Sequence, residues 1–524
     1  MTALVTMREA LSDPALLGDV MPGDSWAGWR ALLIAAMGEE LTADERELFR
    51  TLTGRDHEPG ECVEELWAVV GRRGGKTRAA AVVAVYLAAL VDYSDKLAIG
   101  ERAVLPFIAT TTKQARKAFG YAAGILESTP MLRGLITNRT AETIALSTRV
   151  DLEIQPASWR GNRGDTSAAV IGDEAAFWRD DTSANPDTEI LNALRPSLAT
   201  TGGPLIIISS PYARRGELYT TWKRHYGASG DPLILVAQAP SRVLNPSLSQ
   251  KVIDRAMERD PAAAMAEWGA QFRTDVEACL TIEAVEAVTR SGARERGRIG
   301  DVTYFGFVDP SGGSADSMTM AIGHKEGSKA ILDVIREVKP PFSPEAVVAD
   351  FSADFKRYGV RRIEGDRYAG EWAREPFRKL GIEYVATSKP KVDLYRDLIP
   401  RVNSGEVELL DMPRLASQLV SLERRTSRGG RDTIDHPPRG HDDVANAAAG
   451  VLVLIFDRTF STAKPGTTRM ATYGYGGQVH FADDKRQRAW ERRPAPQPIT
   501  IGPHDHPAPA VPQIPYPSIS FRRP

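Results

Sequence analysis

The sequence predicts an α/β protein built from two successive folds, and three observations carry that expectation. Short β-rich apolar runs alternate with longer helical patterns from Leu66 to about Val236. A second alternation of a different kind, opening with three consecutive strands, begins near Val302. Between a strand and a helix of the first region lies a glycine loop of the kind that cradles phosphate, so the first fold reads as a P-loop fold with a parallel-rich sheet.

In the first fold the runs 66–70, 105–110, 150–154, 168–171 and 204–209 read as strands of a sheet with helices on its faces. From Ser249 to about Val288 the chain turns charged and helix-patterned, a connecting region. The second fold opens with strands at 303–309, 317–324 and 330–338, the first two joined by the Gly-Ser stretch 311–314. Helices near 344–357, 370–380, 391–402 and 413–424 then alternate with strands at 362–364, 382–385 and 406–410, and a last helix runs from about 442 to 456. Ten of the last 34 residues are proline, which sustains neither helix nor central strand. The expected division is an N-terminal arm (1–40), a first domain (41–247), a helical connector (248–300), a second domain (301–460) and a disordered tail (461–524).

Composition narrows the function. The 524 residues carry 66 Lys+Arg against 68 Asp+Glu, a formal charge of −2, and 42% apolar residues, enough for two or three cores. This excludes a globally basic chain but not a local basic groove. Cys62 and Cys279 form no CxxC pair and no Cys/His cluster, which argues against a disulfide framework and a structural zinc and for a reducing compartment. The longest apolar run, Ala79 to Val91, is shorter than the roughly 18 to 20 residues that span a bilayer. No basic flank precedes an apolar stretch at the start, so neither signal peptide nor membrane anchor is expected, and the location is a cytoplasm.

The strand 66–70 runs into Gly71-Arg72-Arg73-Gly74-Gly75-Lys76-Thr77, and Lys76 opens an Ala/Val-rich helix. The glycines let backbone N–H groups turn toward phosphate oxygens, and the helix N-terminus adds partial positive charge. Lys76 would reach the β- and γ-phosphates of ATP, and the Thr77 hydroxyl would bind Mg²⁺. The usual pattern has Gly six positions before the Lys; Val70 stands there, so the loop is a variant. The same residues also suit a helix start with ordinary glycine caps. The nucleotide reading is favoured by Ala168–Glu174, a buried strand ending in Asp173 and Glu174, as P-loop ATPases hold Mg²⁺ with Asp and orient water with Glu. Two such acids are otherwise a helix cap. A third strand ends in Ser209-Ser210-Pro211, where a polar residue beside Glu174 would sense the γ-phosphate or merely form an ST-turn. Arg72 and Arg73 are candidates in cis for the arginine of phosphoryl transfer; Arg116, Arg133 and Arg139 are candidates in trans or solvated surface residues.

In the second fold Asp309 ends the first strand, Asp366 follows a strand in IEGDRYAG, and Asp442-Asp443 open the last helix in GHDDVANAAAG. Ionised carboxylates brought together repel one another, and bound cations resolve the conflict. The chemistry that wants such a site is phosphodiester hydrolysis with two Mg²⁺ or Mn²⁺ ions about 3.5 to 4 Å apart. Each acid alone also suits a cap or turn. Asp443 shares a helix face with Ala447, Gly450 and Leu454 and is the better candidate to face the sheet, whereas Asp442 sits with Asn446 and is a candidate second ligand at the same metal pair. Asp316 and Glu364 read as loop and surface groups. Arg424, Arg425, Arg428, Arg431 and Arg439 suit a flexible loop that contacts DNA phosphates or is simply solvated, and Lys389 and Lys391 would extend that surface.

Together these residues resemble the large terminase subunit of tailed bacteriophages over about residues 40 to 460. The resemblance rests on GRRGGKT, RGNRGDTSAAVIGDE, IIISSP, and the acids of VDPSGG, EGD and GHDDVANAA, in family order. It implies a P-loop ATPase domain followed by an RNase H-like nuclease domain. Lys76 and Thr77 would contact phosphate and Mg²⁺, Asp173 would be the metal ligand, Glu174 the catalytic carboxylate, Ser209 and Ser210 the coupling motif, and Asp309, Asp366 and Asp443 the nuclease triad. It further implies ATP-driven movement of double-stranded DNA into a prohead by a ring of five subunits on the portal protein, a small terminase subunit as partner, and action in the host cytoplasm. No glutamine-type adenine motif precedes the loop. A helicase or translocase with a non-catalytic C-terminal binding module is the main alternative, and a non-enzymatic capsid component the second.

Overall fold

The computed structural model describes residues 2–157, 164–178, 186–314, 316–366, 370–426, 432–437 and 440–460. The segment 461–524 and Arg428, Arg431 and Arg439 lie outside the described residues, as does part of the RGNRGD stretch.

Leu66 to Val70 are all 1% exposed or less, the unbroken burial of a central parallel strand. The first sheet has eight strands in the order Ile234–Ala239, Glu65–Val70, Leu205–Ser209, Val170–Asp173, Ala103–Ala109, Val150–Pro156, Thr143–Leu146, Ile136–Arg139. The first six run parallel, and the last two add an antiparallel edge. The edge strand Ile234–Ala239 and the hairpin Ile136–Leu146 are elements that sequence reading did not anticipate. The helix Lys76–Ala89 is buried all round from Ala79 onward, which its Ala/Val sequence permits. Residues before 41 pack into this same fold: Met7, Trp29, Leu32 and Leu33 belong to the core that contains Val70 and Val82.

The second sheet has seven strands in the order Thr289–Arg290, Val407–Leu410, Lys329–Val338, Met318–Glu326, Tyr304–Asp309, Arg362–Gly365, Glu383–Ala386. Its three consecutive strands pair antiparallel and its outer pairings are parallel. Side-chain alternation splits the core in two: Phe307 and Ala321 face one cluster, Val308, Met320 and Ile322 the other. The helix Asp443–Phe460 covers the first face and approaches it at Gly450, where an added Cβ would lie 2.4 Å from the Phe307 ring. That close approach brings the start of the helix to the sheet.

A third, antiparallel sheet of Val276–Ala278, Glu423–Thr426 and Asp432–Asp435 stands between the two folds. Here expectation and structure differ. The helix expected near 413–424 stops at Ser421, and the ends of the expected flexible loop become paired strands, because buried Leu422 and Glu423 leave the helix and a connector strand offers them a ladder. Among the described residues no helix is long and apolar enough to cross a membrane, and both cysteines are free.

Two candidate active sites

The first site sits at the carboxyl ends of the strands Glu65–Val70, Val170–Asp173 and Leu205–Ser209. Gly71 has no room for a side chain: an added Cβ would lie 2.3 Å from Ser241 Oγ and 2.7 Å from the Trp268 carbonyl oxygen. Gly75 has φ 85°, the left-handed conformation that glycine tolerates, and leads directly into the helix. The loop is held from outside. Buried Trp29 donates its indole N–H to the Gly74 carbonyl (2.8 Å), and Asn245 Nδ2 donates to the Arg73 carbonyl (2.8 Å). Because a peptide's C=O and N–H point opposite ways, the bond to Trp29 turns the Gly75 N–H away from Trp29. Neither Trp29 nor Asn245 was legible as a site residue, since each lies far from the loop in sequence.

Lys76 Nζ donates to the carbonyls of Val70 (2.8 Å) and Gly71 (3.3 Å) and to Ser210 Oγ (2.9 Å). Burial lowers its pKa, opposed by the charges of Glu174 and Asp173. Ser210 Oγ also donates to the Val70 carbonyl (3.2 Å), and the Ser210 N–H reaches Glu174 Oε2 at 3.5 Å. Ser209 Oγ donates to the Ser210 carbonyl (3.0 Å) and accepts from the Ala176 N–H (3.2 Å), just beyond Glu174. The structure thus brings together Lys76, Asp173, Glu174, Ser209 and Ser210. Half-buried Thr77 follows Lys76 on the first turn of the helix.

Asp173 is buried, and its Oδ1 has no hydrogen-bond partner among the described residues. Burial, aided by the Glu174 charge, pushes its pKa up to about 7. An orphaned carboxylate oxygen held away from water is what a divalent cation would satisfy, so this residue set fits Mg²⁺. Of the arginines, Arg72 pairs with Glu267 (3.0 Å) and Arg73 is exposed with φ 64°. Arg116 pairs with Glu142 (2.6 Å), Arg139 pairs with Glu127, and Arg133 is exposed.

The second site lies at one end of the second sheet. Val308 and Gly365 are register partners on parallel strands, so Asp309 and Asp366 stand next to each other where those strands end. The last helix is tied to the same place: Thr319 Oγ1, opposite Asp309, donates to the Asp443 carbonyl (2.7 Å), and Asn446 Nδ2 donates to Asp309 Oδ2 (2.8 Å). Asn446, about one turn on from both Asp442 and Asp443, thus joins the start of the helix to the Asp309 strand end. Lost hydration, then the charges of Asp443, Asp366 and Asp442, push Asp309 up to about 7 against the Asn446 bond. Burial and the Asp442 charge raise Asp443 to about 6. Asp443 Oδ2 has no hydrogen-bond partner among the described residues. Crowded carboxylates with a free oxygen fit divalent cations.

Asp442, the candidate second ligand, is buried and accepts from Lys391 Nζ (3.0 Å) and the Tyr395 hydroxyl (2.8 Å). Lys391 also pairs with Asp435 (2.7 Å), and this ammonium fills the place where Asp435, His436 and Asp442 approach within 4.8 Å of one another. Lys389 pairs with Asp397 (2.6 Å) and Asp457 (2.7 Å). Glu364 pairs with Arg458 (2.9 Å), and Asp316 is exposed.

No protein-family model and no curated protein matches the chain. Among solved structures it is similar to the HK97 bacteriophage large terminase, at 15% identity over 79% of this chain and 94% of that one, with a TM-score of 0.36. It is similar to the large terminase of a thermophilic bacteriophage in complex with ADP, at 12% identity over 75% and 94%, with a TM-score of 0.34. Over 33% of its length and 95% of the other chain it is similar to the large terminase nuclease of thermophilic phage G20c with bound magnesium, at 17% identity and a TM-score of 0.29.

Proposed function

We propose that the chain is the large terminase subunit of a tailed bacteriophage: an ATPase that drives double-stranded DNA into a prohead and a metal-dependent endonuclease that cuts concatemeric DNA. The observation that carries this reading is the presence of two complete acid sites in one chain, a phosphate loop wired to Asp173, Glu174 and Ser210, and a separate cluster of Asp309, Asp366 and Asp443. Carboxylates crowded against their own repulsion at a strand end suit metal-dependent chemistry better than a binding module. Residues 41–247 form the ATPase domain and 301–460 the nuclease domain in this reading, joined by the connector 248–300.

At the first site the Gly71–Gly75 backbone and the helix start bind the phosphates, and Lys76 leaves Ser210 to reach them. Glu174, whose backbone sits at φ 55°, orients the attacking water. Thr77 and Asp173 would hold Mg²⁺. At the second site Asp309, Asp366 and Asp443 would hold Mg²⁺ or Mn²⁺, which supply charge neutralisation and an activated water. Asn446, Thr319 and, behind Asp442, Lys391 and Tyr395 keep those acids in place. The partners are DNA, a small terminase subunit, a portal protein and further copies in a ring of five, in the host cytoplasm.

One assay of the purified chain for ATP hydrolysis and Mn²⁺-dependent plasmid cutting tests the reading. Lys76→Ala is expected to lower hydrolysis by roughly 10²-fold or more with cutting retained, and Asp309→Ala to do the reverse. Cutting that survives Asp309→Ala unchanged would instead support the helicase or translocase with a non-catalytic second fold.

A further inference from the structure

The last helix is capped from outside. The Asp442 carbonyl accepts its first intrahelical bond, from the Asn446 N–H (2.7 Å), so Asp442 stands in the capping position. An aspartate there ordinarily turns its carboxylate onto a free N–H of the first turn. This one faces Lys391 and the Tyr395 hydroxyl instead. The N–H of buried Ala445, which such a cap would take, donates to Gln418 Oε1 (2.9 Å).

Gln418 lies on the helix Pro413–Ser421 and is 6% exposed. Leu415 and Leu419 of that helix share a core with Val444 and Ala448, which holds Gln418 against the first turn of the last helix. The bond fixes the amide's orientation, because its oxygen must face the N–H and its nitrogen the other side. Gln418 Nε2 has no hydrogen-bond partner among the described residues, and neither have two acceptors of that turn, Asp443 Oδ2 and Asn446 Oδ1. Buried polar groups left open cost free energy, so a turn that carries three of them is arranged for what it holds rather than for its own stability. Without an acceptor at 418 the Ala445 N–H would be buried and unpaired. The side chain in position to take it is Asp442, which would then leave Lys391 and Tyr395 and turn the peptide that it shares with Asp443.

We infer that Gln418 is a positioning residue of the second acid site: by capping the last helix in place of Asp442, it leaves Asp442 to Lys391 and Tyr395 and sets the direction in which Asp443 meets metal. This rests on the function proposed above. It concerns how tightly the acids take up metal rather than the cutting step.

The test uses the full chain without nucleotide. Calorimetric titration with Mn²⁺ alone is run beside cutting of supercoiled plasmid over a range of Mn²⁺, and Asp309→Ala defines which binding belongs to the second site. A wild type that shows no Mn²⁺ binding sensitive to Asp309→Ala and cuts no plasmid means that the function proposed above is wrong. Given wild-type binding and cutting, Gln418→Met, of similar volume but without an acceptor, is expected to raise the Mn²⁺ Kd and the Mn²⁺ needed for half-maximal cutting about tenfold, with the rate at saturating Mn²⁺ within about threefold of wild type. Gln418→Glu keeps an oxygen for the Ala445 N–H at a helix end that favours negative charge, and both quantities are expected to stay within about threefold of wild type. Values unchanged in Gln418→Met, or a loss that Gln418→Glu shares in full, overturn the inference and leave the proposed function standing. Should Gln418→Met not fold, Gln418→Asn, a methylene too short for the bond, must by itself produce the shift, and unchanged values there overturn the inference equally.

Discussion

The two acid sites face one electrostatic problem and differ in how much of its solution is built in. At the first, the Lys76 ammonium stands near Asp173 and Glu174, and Ser209 and Ser210 tie the strand ends together by hydrogen bonds. At the second, half-buried Lys391 is spent on Asp442 and Asp435, so Asp309 and Asp443 repel each other with Asn446 as a neutral partner. The comparison teaches that the first site has a lysine of its own beside its acids, whereas the second offers Asp309 a neutral amide and leaves more of its charge to cations from solution.

The largest expected effect sharpens the distinction between Asp442 and Asp443. Asp443→Asn is expected to reduce Mn²⁺-dependent cutting about 100-fold or more, and Asp442→Asn by nearer 10-fold, since a group behind the ligands costs less than a ligand. Equal losses would make Asp442 a ligand as Asp443 is.

Next comes pH. Asp309 is raised from 3.8 to about 7, so between those values the folded chain binds more protons than the unfolded one. The contribution of Asp309 to stability without divalent metal is therefore expected to be full near pH 4 and to be lost as pH rises to 7. Thermal unfolding in a chelator should show this, Mn²⁺ should restore stability near pH 7, and Asp309→Asn should flatten the slope. A chelator-insensitive profile would mean that the second site needs no cation.

A smaller effect is expected at the outside of the phosphate loop. Trp29→Phe keeps the ring but removes the donor to Gly74, a bond of about 1 kcal/mol, which corresponds to roughly a fivefold rise in KM for ATP with kcat little changed. A fall in kcat alone would show that the bond serves the chemistry rather than the loop. Smallest of all, Arg72→Ala removes an exposed pair with Glu267 and is expected to change stability by less than about 1 kcal/mol. A large loss of hydrolysis would make Arg72 the arginine of phosphoryl transfer.

Much of this was legible in the chain itself. The loop from Gly71 to Thr77 is contiguous, and Asp173, Asp309 and Asp366 each mark a strand end, where polar residues follow an apolar run. Trp29, Asn245 and Tyr395 were not legible, because each acts across the fold on a partner far away in sequence and looks locally like a core aromatic or a turn residue. Asn446 is visible in the sequence as a helix neighbour of Asp442, but its bond to Asp309 exists only in the fold. The hairpin at Glu423 was hidden because its charged residues read as a solvated loop until three donors surround the carboxylate.

Local pattern alone determined most of the order of strands and helices, the glycine loop and the candidate acids, since backbone conformation and apolar periodicity are short-range properties. Tertiary structure alone decided which acid keeps a free oxygen, which is neutralised by lysine, and how the two folds are clamped, because those outcomes depend on distances between residues hundreds of positions apart and on the water their packing removes.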